Sequence, residues 1–188
     1  MTFYDHKLQS GNSFSERVGN PDEFDAALGR IVESFSFLEG SLQNLITLLL
    51  DVSTELGSII TAELPYKGLI NLASSLFKYR NSLEEYAVEG EDCSDRFKEL
   101  MSLCSQAEEH RNRIIHSSYV GRYRIKTTAK AKSGLKTAVE DIDADKLLDI
   151  SDFITAVGMN VEELPLCLNL ASKIDDYCKI GDNYTPNY

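Results

Sequence analysis

From Phe24 to Leu49, the residues Phe24, Leu28, Ile31, Phe35, Leu38, Leu42, Leu45 and Leu49 fall three or four positions apart. Such spacing lays one apolar stripe along a helix of about thirty residues. Asp25, Arg30, Glu33 and Asn44 take its other faces. Asn20-Pro21-Asp22-Glu23 opens it with a capping amide, a first-turn proline and a reaching glutamate. A helix this long with one apolar face must find helical partners, and the chain supplies them. Leu69, Ile70, Leu72, Ala73, Leu76 and Phe77 repeat the pattern after Pro65. Phe97, Leu100, Met101, Cys104, Ala107, Ile114 and Ile115 repeat it again, through about Ser118. A fourth run, Leu147 to Val157, begins at Ala144, and a further helix is expected from Val161 to Ile180, bent near Pro165. Gly57 and Pro65 punctuate the chain, with a short helix expected between them around Ile59, Ile60 and Leu64. Gly40, inside the first stripe, points to the close approach of a neighbour or to a bend.

One stretch breaks the helical period. Tyr119 to Thr128 alternates and is rich in β-branched and aromatic residues, Ser133-Gly134 signals a turn, and Leu135 to Ile142 reads as a return strand. The fold class is therefore an all-α up-and-down bundle with a small β-hairpin, at about 119–142, after the third long helix. One domain over residues 20–180 fits the length of 188 residues. Residues 1–19 read as a loose polar arm, residues 181–188 as a polar tail, and Glu84 to Asp95 as an acidic loop.

No apolar run approaches the roughly 20 residues of a membrane span, and the first twenty residues lack the apolar core of a secretory signal. The expectation is a cytoplasmic protein with no membrane partner. Cys93, Cys104, Cys167 and Cys178 form no C-x2-C pair and read as reduced thiols at helix interfaces. No phosphate-binding loop, dinucleotide fingerprint or zinc-protease motif occurs, so no cofactor and no metal is expected.

The formal charge is -11, which taken whole opposes a polyanionic partner. Its distribution says otherwise. Residues 1–110 carry 8 basic and 19 acidic side chains, residues 138–188 carry 3 and 11, and residues 111–137 carry 8 basic and no acidic ones. The basic eight are Arg111, Arg113, Arg122, Arg124, Lys126, Lys130, Lys132 and Lys136, interleaved with Tyr119 and Tyr123. Guanidinium forks and aromatic rings suit a phosphate–ribose chain. The plainer reading is an edge hairpin kept soluble by its lysines.

The basic window opens on Arg111-Asn112-Arg113-Ile114-Ile115-His116. Asn112 and His116 lie one turn apart on one face. Arg111 stands five residues before His116, about 140° away on an ideal helix. The two converge only where the helix end bends or a second chain contributes. An imidazole can move a proton near neutral pH, a guanidinium can brace charge on a phosphoryl group, and an amide can orient either. Together they suffice for RNA cleavage by the internal 2′-hydroxyl. The plainer alternative is a histidine and arginines placed favourably at a helix C-terminus. His110 reads as a surface histidine.

This segment resembles the R-x4-H motif of the HEPN domain family, including the polar residue directly after the arginine, and it sits near the end of a late helix in a helical chain. The likeness is specific over Glu109 to Ser117 and architectural over about 21–180. It implies a metal-independent endoribonuclease with Arg111, Asn112 and His116 as catalytic residues. Arg113, Tyr119, Arg122, Arg124 and Lys126 would hold the RNA. It also implies a homodimer whose two motifs share a cleft, and a toxin with an antitoxin protein, or an effector of phage defence. Some family members are instead non-catalytic dimerisation or binding modules. Family toxins paired with a nucleotidyltransferase carry a tyrosine two residues after the histidine. Here Ser118 stands there and Tyr119 follows one later.

Overall fold

The computed structural model describes residues 21–82, 91–120, 123–130 and 134–167. Among the described residues, five helices and three short strands make an all-α bundle with a small antiparallel sheet. In chain order they are α1 (Pro21–Leu50), α2 (Thr54–Thr61), α3 (Tyr66–Asn81), α4 (Glu91–Ile115), β1 (Ser118–Val120), β2 (Tyr123–Lys130), β3 (Gly134–Asp141) and α5 (Ala144–Cys167). No single helix among the described residues is long and apolar enough to cross a membrane. The expected arm at 1–19, the tail at 181–188, the helix beyond Cys167 and residues 84–90 of the acidic stretch lie outside the described residues.

The apolar stripe of α1 is the core it promised: Phe24, Ile31, Phe35, Leu38, Leu42, Leu45 and Leu49 are all buried. Contacts group the chain into two compact units. Among the described residues, one joins 21–35 with Ala107–Ile154, and the other joins Ser36–Gln106 with 155–167. In the second unit, Phe77 and Phe97 stack 3.9 Å apart and nearly parallel. The Tyr66 hydroxyl donates to the Cys104 carbonyl at 3.3 Å. Burial there pushes the Cys104 thiol up to about 12. In the first unit, the Ser34 and Ser151 hydroxyls pair at 2.8 Å, which satisfies two buried polar groups at once.

Four local expectations change. Gly57 does not interrupt the chain but lies within α2, buried, where an added Cβ would fall 2.0 Å from Thr47 Oγ1. Gly40, in contrast, has nothing within 4 Å of such a Cβ. The close approach thus belongs to Gly57. Consequently α2 buries Gly57 and Thr61, and Ile59 and Ile60 face solvent at 72% and 39% exposure. The two helices expected after Ala144 are one: α5 passes through Gly158, whose missing side chain leaves room for the Phe37 ring (2.7 Å to a Cβ). Pro165 lies inside α5, where it removes the N–H that would donate to the Val161 carbonyl. Residues 91–95, read as loop, are the first turn of α4.

The β element has three strands rather than two. Residues 119–128 do not form one strand. The chain reverses between β1 and β2, which pair antiparallel with Tyr119 opposite Arg124 and Val120 opposite Tyr123. β3 then returns with Glu140 opposite Arg124 and Lys136 opposite Thr128. The side chain of Asp143 caps α5 by accepting from the Lys146 backbone N–H at 2.9 Å.

Candidate active site

The candidate site is the C-terminal turn of α4, and its geometry follows from how that helix ends. The His116 N–H still donates to the Asn112 carbonyl at 3.2 Å, but the Ser117 N–H reaches only three residues back, to Ile114 at 3.3 Å. The last turn tightens as helix ends commonly do. His116 keeps its helical bond at the end of α4, and the Arg111 side chain reaches it across the interval. Arg111 Nη1 donates to Asn112 Oδ1 at 2.9 Å and lies 3.5 Å from His116 Nε2. The three residues therefore meet within one chain, without a contribution from a second. Because a guanidinium only donates, the contact suits the imidazole tautomer whose Nε2 carries the lone pair.

Arg111 is fixed from below as well. Its guanidinium carbon sits 5.2 Å from the centre of the Phe35 ring, a cation–π contact on α1. Among the described residues nothing accepts from its Nε or Nη2. His116 is exposed, and Arg111 and Asn112 are half-buried. His110 is no free surface group. It packs edge-on against Phe153 with ring centres 5.6 Å apart.

The residues expected to hold RNA divide into three groups. Arg113 and Arg124 are engaged inside the protein. Both oxygens of Glu140 accept from Arg113 Nη2 at 2.6 Å. Arg124 is 3% exposed. Its Nε donates to Glu140 at 3.0 Å, its Nη2 to the same carboxylate, and its Nη1 to the Arg113 carbonyl at 3.0 Å and the Ser117 hydroxyl at 3.1 Å. Buried, with four of its five N–H groups engaged, Arg124 is not open to a phosphate, which corrects its expected role. Tyr119 is half-buried and donates its hydroxyl to the Ile114 carbonyl at 2.8 Å, with its ring edge-on to Phe24. Burial pushes its phenol up. Arg122 lies outside the described residues, and Lys126 is placed in β2 by its backbone alone.

Glu140 is the member that sequence reasoning missed. Burial pushes its carboxyl up, but the hydrogen bonds and charges of Arg113 and Arg124 together outweigh that and hold it below its ordinary value. The exposed Arg113 pair is by itself worth only about 0–1 kcal/mol. The Arg124 pair matters more, because a buried guanidinium that loses its carboxylate leaves a charge out of water. The available signal was the hairpin itself. Counting out from a two-residue turn at 133–134 sets residue 140 against residue 127, and only the observed register, with Lys130 opposite Gly134, brings it to Arg124.

No group of three or more histidine, cysteine, aspartate or glutamate residues among those described is placed to hold a metal ion. A separate cavity of about 610 Å³, lined by Phe77, Phe97, Met101, Lys78 and Lys98, lies in the other unit and contains none of the motif residues. Comparison with protein-family models, curated proteins and solved structures finds no match for this chain.

Proposed function

We propose that the protein is a metal-independent endoribonuclease of the HEPN kind, working in the cytoplasm as a toxin or phage-defence effector. The observation that carries this reading is one nitrogen, Arg111 Nη1, held by Asn112 Oδ1 and set 3.5 Å from His116 Nε2 at an exposed helix end. A proton-moving ring thus stands beside a cation whose Nε and Nη2 find no acceptor among the described residues. His116 Nε2 takes the proton from a ribose 2′-hydroxyl, whose oxygen attacks the adjacent phosphorus. The bond to the 5′-oxygen breaks, and that oxygen leaves with the proton the imidazolium returns. A 2′,3′-cyclic phosphate and a 5′-hydroxyl remain, and every atom is accounted for. Arg111 braces the charge on the phosphoryl oxygens, a contribution worth roughly 10²–10³ in rate for a single lost donor at comparable sites. Asn112 positions Arg111. A homodimer would set two such sites side by side for one RNA chain, and an antitoxin protein would be needed to restrain it.

The test is cleavage of several structured and unstructured RNAs in EDTA, with product ends identified by mass spectrometry. Wild type should yield cyclic phosphates, and Arg111→Ala and His116→Ala should not. A folded protein that leaves every RNA intact, or cleavage that survives both substitutions, overturns the reading. A second reading, a non-catalytic dimerisation or binding module, draws support from the capture of Arg113 and Arg124 by Glu140. It requires that His116→Ala leave the effect on growing cells unchanged.

A further inference from the structure

We propose that Arg124, seated on Glu140, is a positioning residue for His116. The inference rests on the reading of His116 as the reacting group, and it assigns the sheet a task within that site. The starting point is a general deficit of helices. The last carbonyls of an α-helix have no amide partner within it, so a helix end frays unless something else donates. In α4 the exposed carbonyls at the end are those around His116, so fraying there displaces the imidazole from Arg111.

Ser117 returns its N–H to the Ile114 carbonyl and its hydroxyl to the Arg113 carbonyl, and the sheet adds donors from outside the helix. Arg124 Nη1 donates to the carbonyl of Arg113, three residues before His116, and to the hydroxyl of Ser117, directly after it. Tyr119, opposite Arg124 in the sheet, donates to the carbonyl of Ile114. The chain on both sides of His116 is thereby tied to β1 and β2. Nothing in this arrangement touches the ring itself, and at 3% exposure Arg124 does not reach a substrate. Its effect on the reaction must pass through the position of His116. Glu140 has the complementary task. By accepting from Nε and Nη2 it turns the guanidinium so that Nη1 faces the helix end, and its charge makes the burial of Arg124 tolerable.

A role confined to stability and a positioning role make different predictions. The clamp variants are Arg124→Gln and Glu140→Gln. Tyr119→Phe removes one hydroxyl and keeps the ring against Phe24, so it preserves the fold even where the clamp variants do not. In folded Arg124→Gln or Glu140→Gln protein, kcat for RNA cleavage should fall about 100-fold, the loss typical of a displaced catalytic group, with KM unchanged. Tyr119→Phe should lower kcat in the same direction by a smaller factor. Independently of activity, the His116 ring resonances, assigned by comparison with His116→Ala, should move in all three variants while those of His110 do not. A KM rise with unchanged kcat would make Arg124 a binding residue and overturn the proposal. So would unchanged His116 resonances in the folded variants. The ring resonances can be read in a protein that cleaves no RNA. Loss of the ribonuclease reading and loss of the clamp are therefore separable outcomes.

Discussion

Replacing Gly57 with alanine tests the packing of α2 directly. In an open helix interior the exchange stabilises by about 0.8–1 kcal/mol, since glycine gives up more backbone freedom on folding. At Gly57 the new Cβ would stand 2.0 Å from Thr47 Oγ1, 2.7 Å from its Cγ2 and 2.8 Å from its Cβ. Rotation about χ1 moves the first two atoms, although the hydroxyl then gives up its 2.9 Å bond to the Gln43 carbonyl. The third is fixed by the backbone of α1, so α2 itself must retreat. Overpacking of this kind costs about 1–3 kcal/mol, which outweighs the helical gain. The net expectation is a loss of about 1–2 kcal/mol for Gly57→Ala. Gly40→Ala, with nothing within 4 Å, should instead gain up to about 1 kcal/mol. Urea unfolding of both variants gives the comparison. Adding Thr47→Ala to Gly57→Ala should recover about 1 kcal/mol beyond additivity, by relieving the two nearest contacts. If Gly57→Ala stabilised the protein as much as Gly40→Ala, the close approach of α2 to Thr47 would be refuted.

The clamp should also be visible in acid. Glu140 sits below its ordinary value of 4.5 in the folded protein, so its contribution is complete above pH 4.5 and drains away as pH falls through the lower folded value. Thermal scans from pH 6 to pH 2 should show a component of the acid loss that Glu140→Gln removes. An unchanged profile in that variant would show that the carboxylate is not held. The Cys104 thiol carries the opposite sign. Raised from 9.0 to about 12, it favours the folded state while protonated, fully below pH 9 and progressively less as pH climbs toward 12. Cys104 should resist alkylation at pH 8 in native protein and label readily in urea, as mapped by peptide mass. Rapid native labelling would refute its burial.

The long elements were legible because their periodicity is redundant. Seven of the eight stripe residues of α1 are buried, so no single exception could hide the helix. Short elements lack that redundancy. In α2 the large apolar side chains, Ile59 and Ile60, face out, and the buried contacts are made by Gly57 and Thr61. A pattern that scores hydrophobicity reads such a helix backwards. Glycine is equally ambiguous. At Gly40 and at Gly57 the letter is the same, and only the distance to Thr47 separates an idle position from a close approach. The sheet shows a third limit. Residues 119–128 read as one alternating run although Gly121 stands between Val120 and Tyr123, because a lone glycine within a strand pattern marks a bulge as readily as a reversal. At the candidate site, Arg111, Asn112 and His116 were visible as letters. Their convergence was not, because it depends on the side-chain conformations of Arg111 and Asn112 at the end of α4, which spacing does not specify.

The basic window shows the same limit in a form that can be measured. Summed along the chain, residues 111–137 hold eight cations and no anion. Summed across the sheet, Glu140 stands opposite Arg124 and also takes Arg113, so two of the eight are already engaged on one carboxylate before any ligand arrives. At most six remain for an RNA backbone. Displacement of counterions from a single strand lowers the logarithm of the binding constant by about 0.7 per neutralised phosphate for each unit in log salt. Eight contacts would give a slope of about -5.6, while six set a ceiling near -4. RNA binding to His116→Ala protein, followed from 50 to 300 mM salt, should therefore be no steeper than about -4. Glu140→Gln frees the exposed Arg113 while Arg124 stays buried, so it should steepen the slope by less than one. A wild-type slope near -6 would mean that phosphate displaces Glu140 and opens the clamp. The sheet would then yield its arginines to the RNA instead of using them to hold the end of α4.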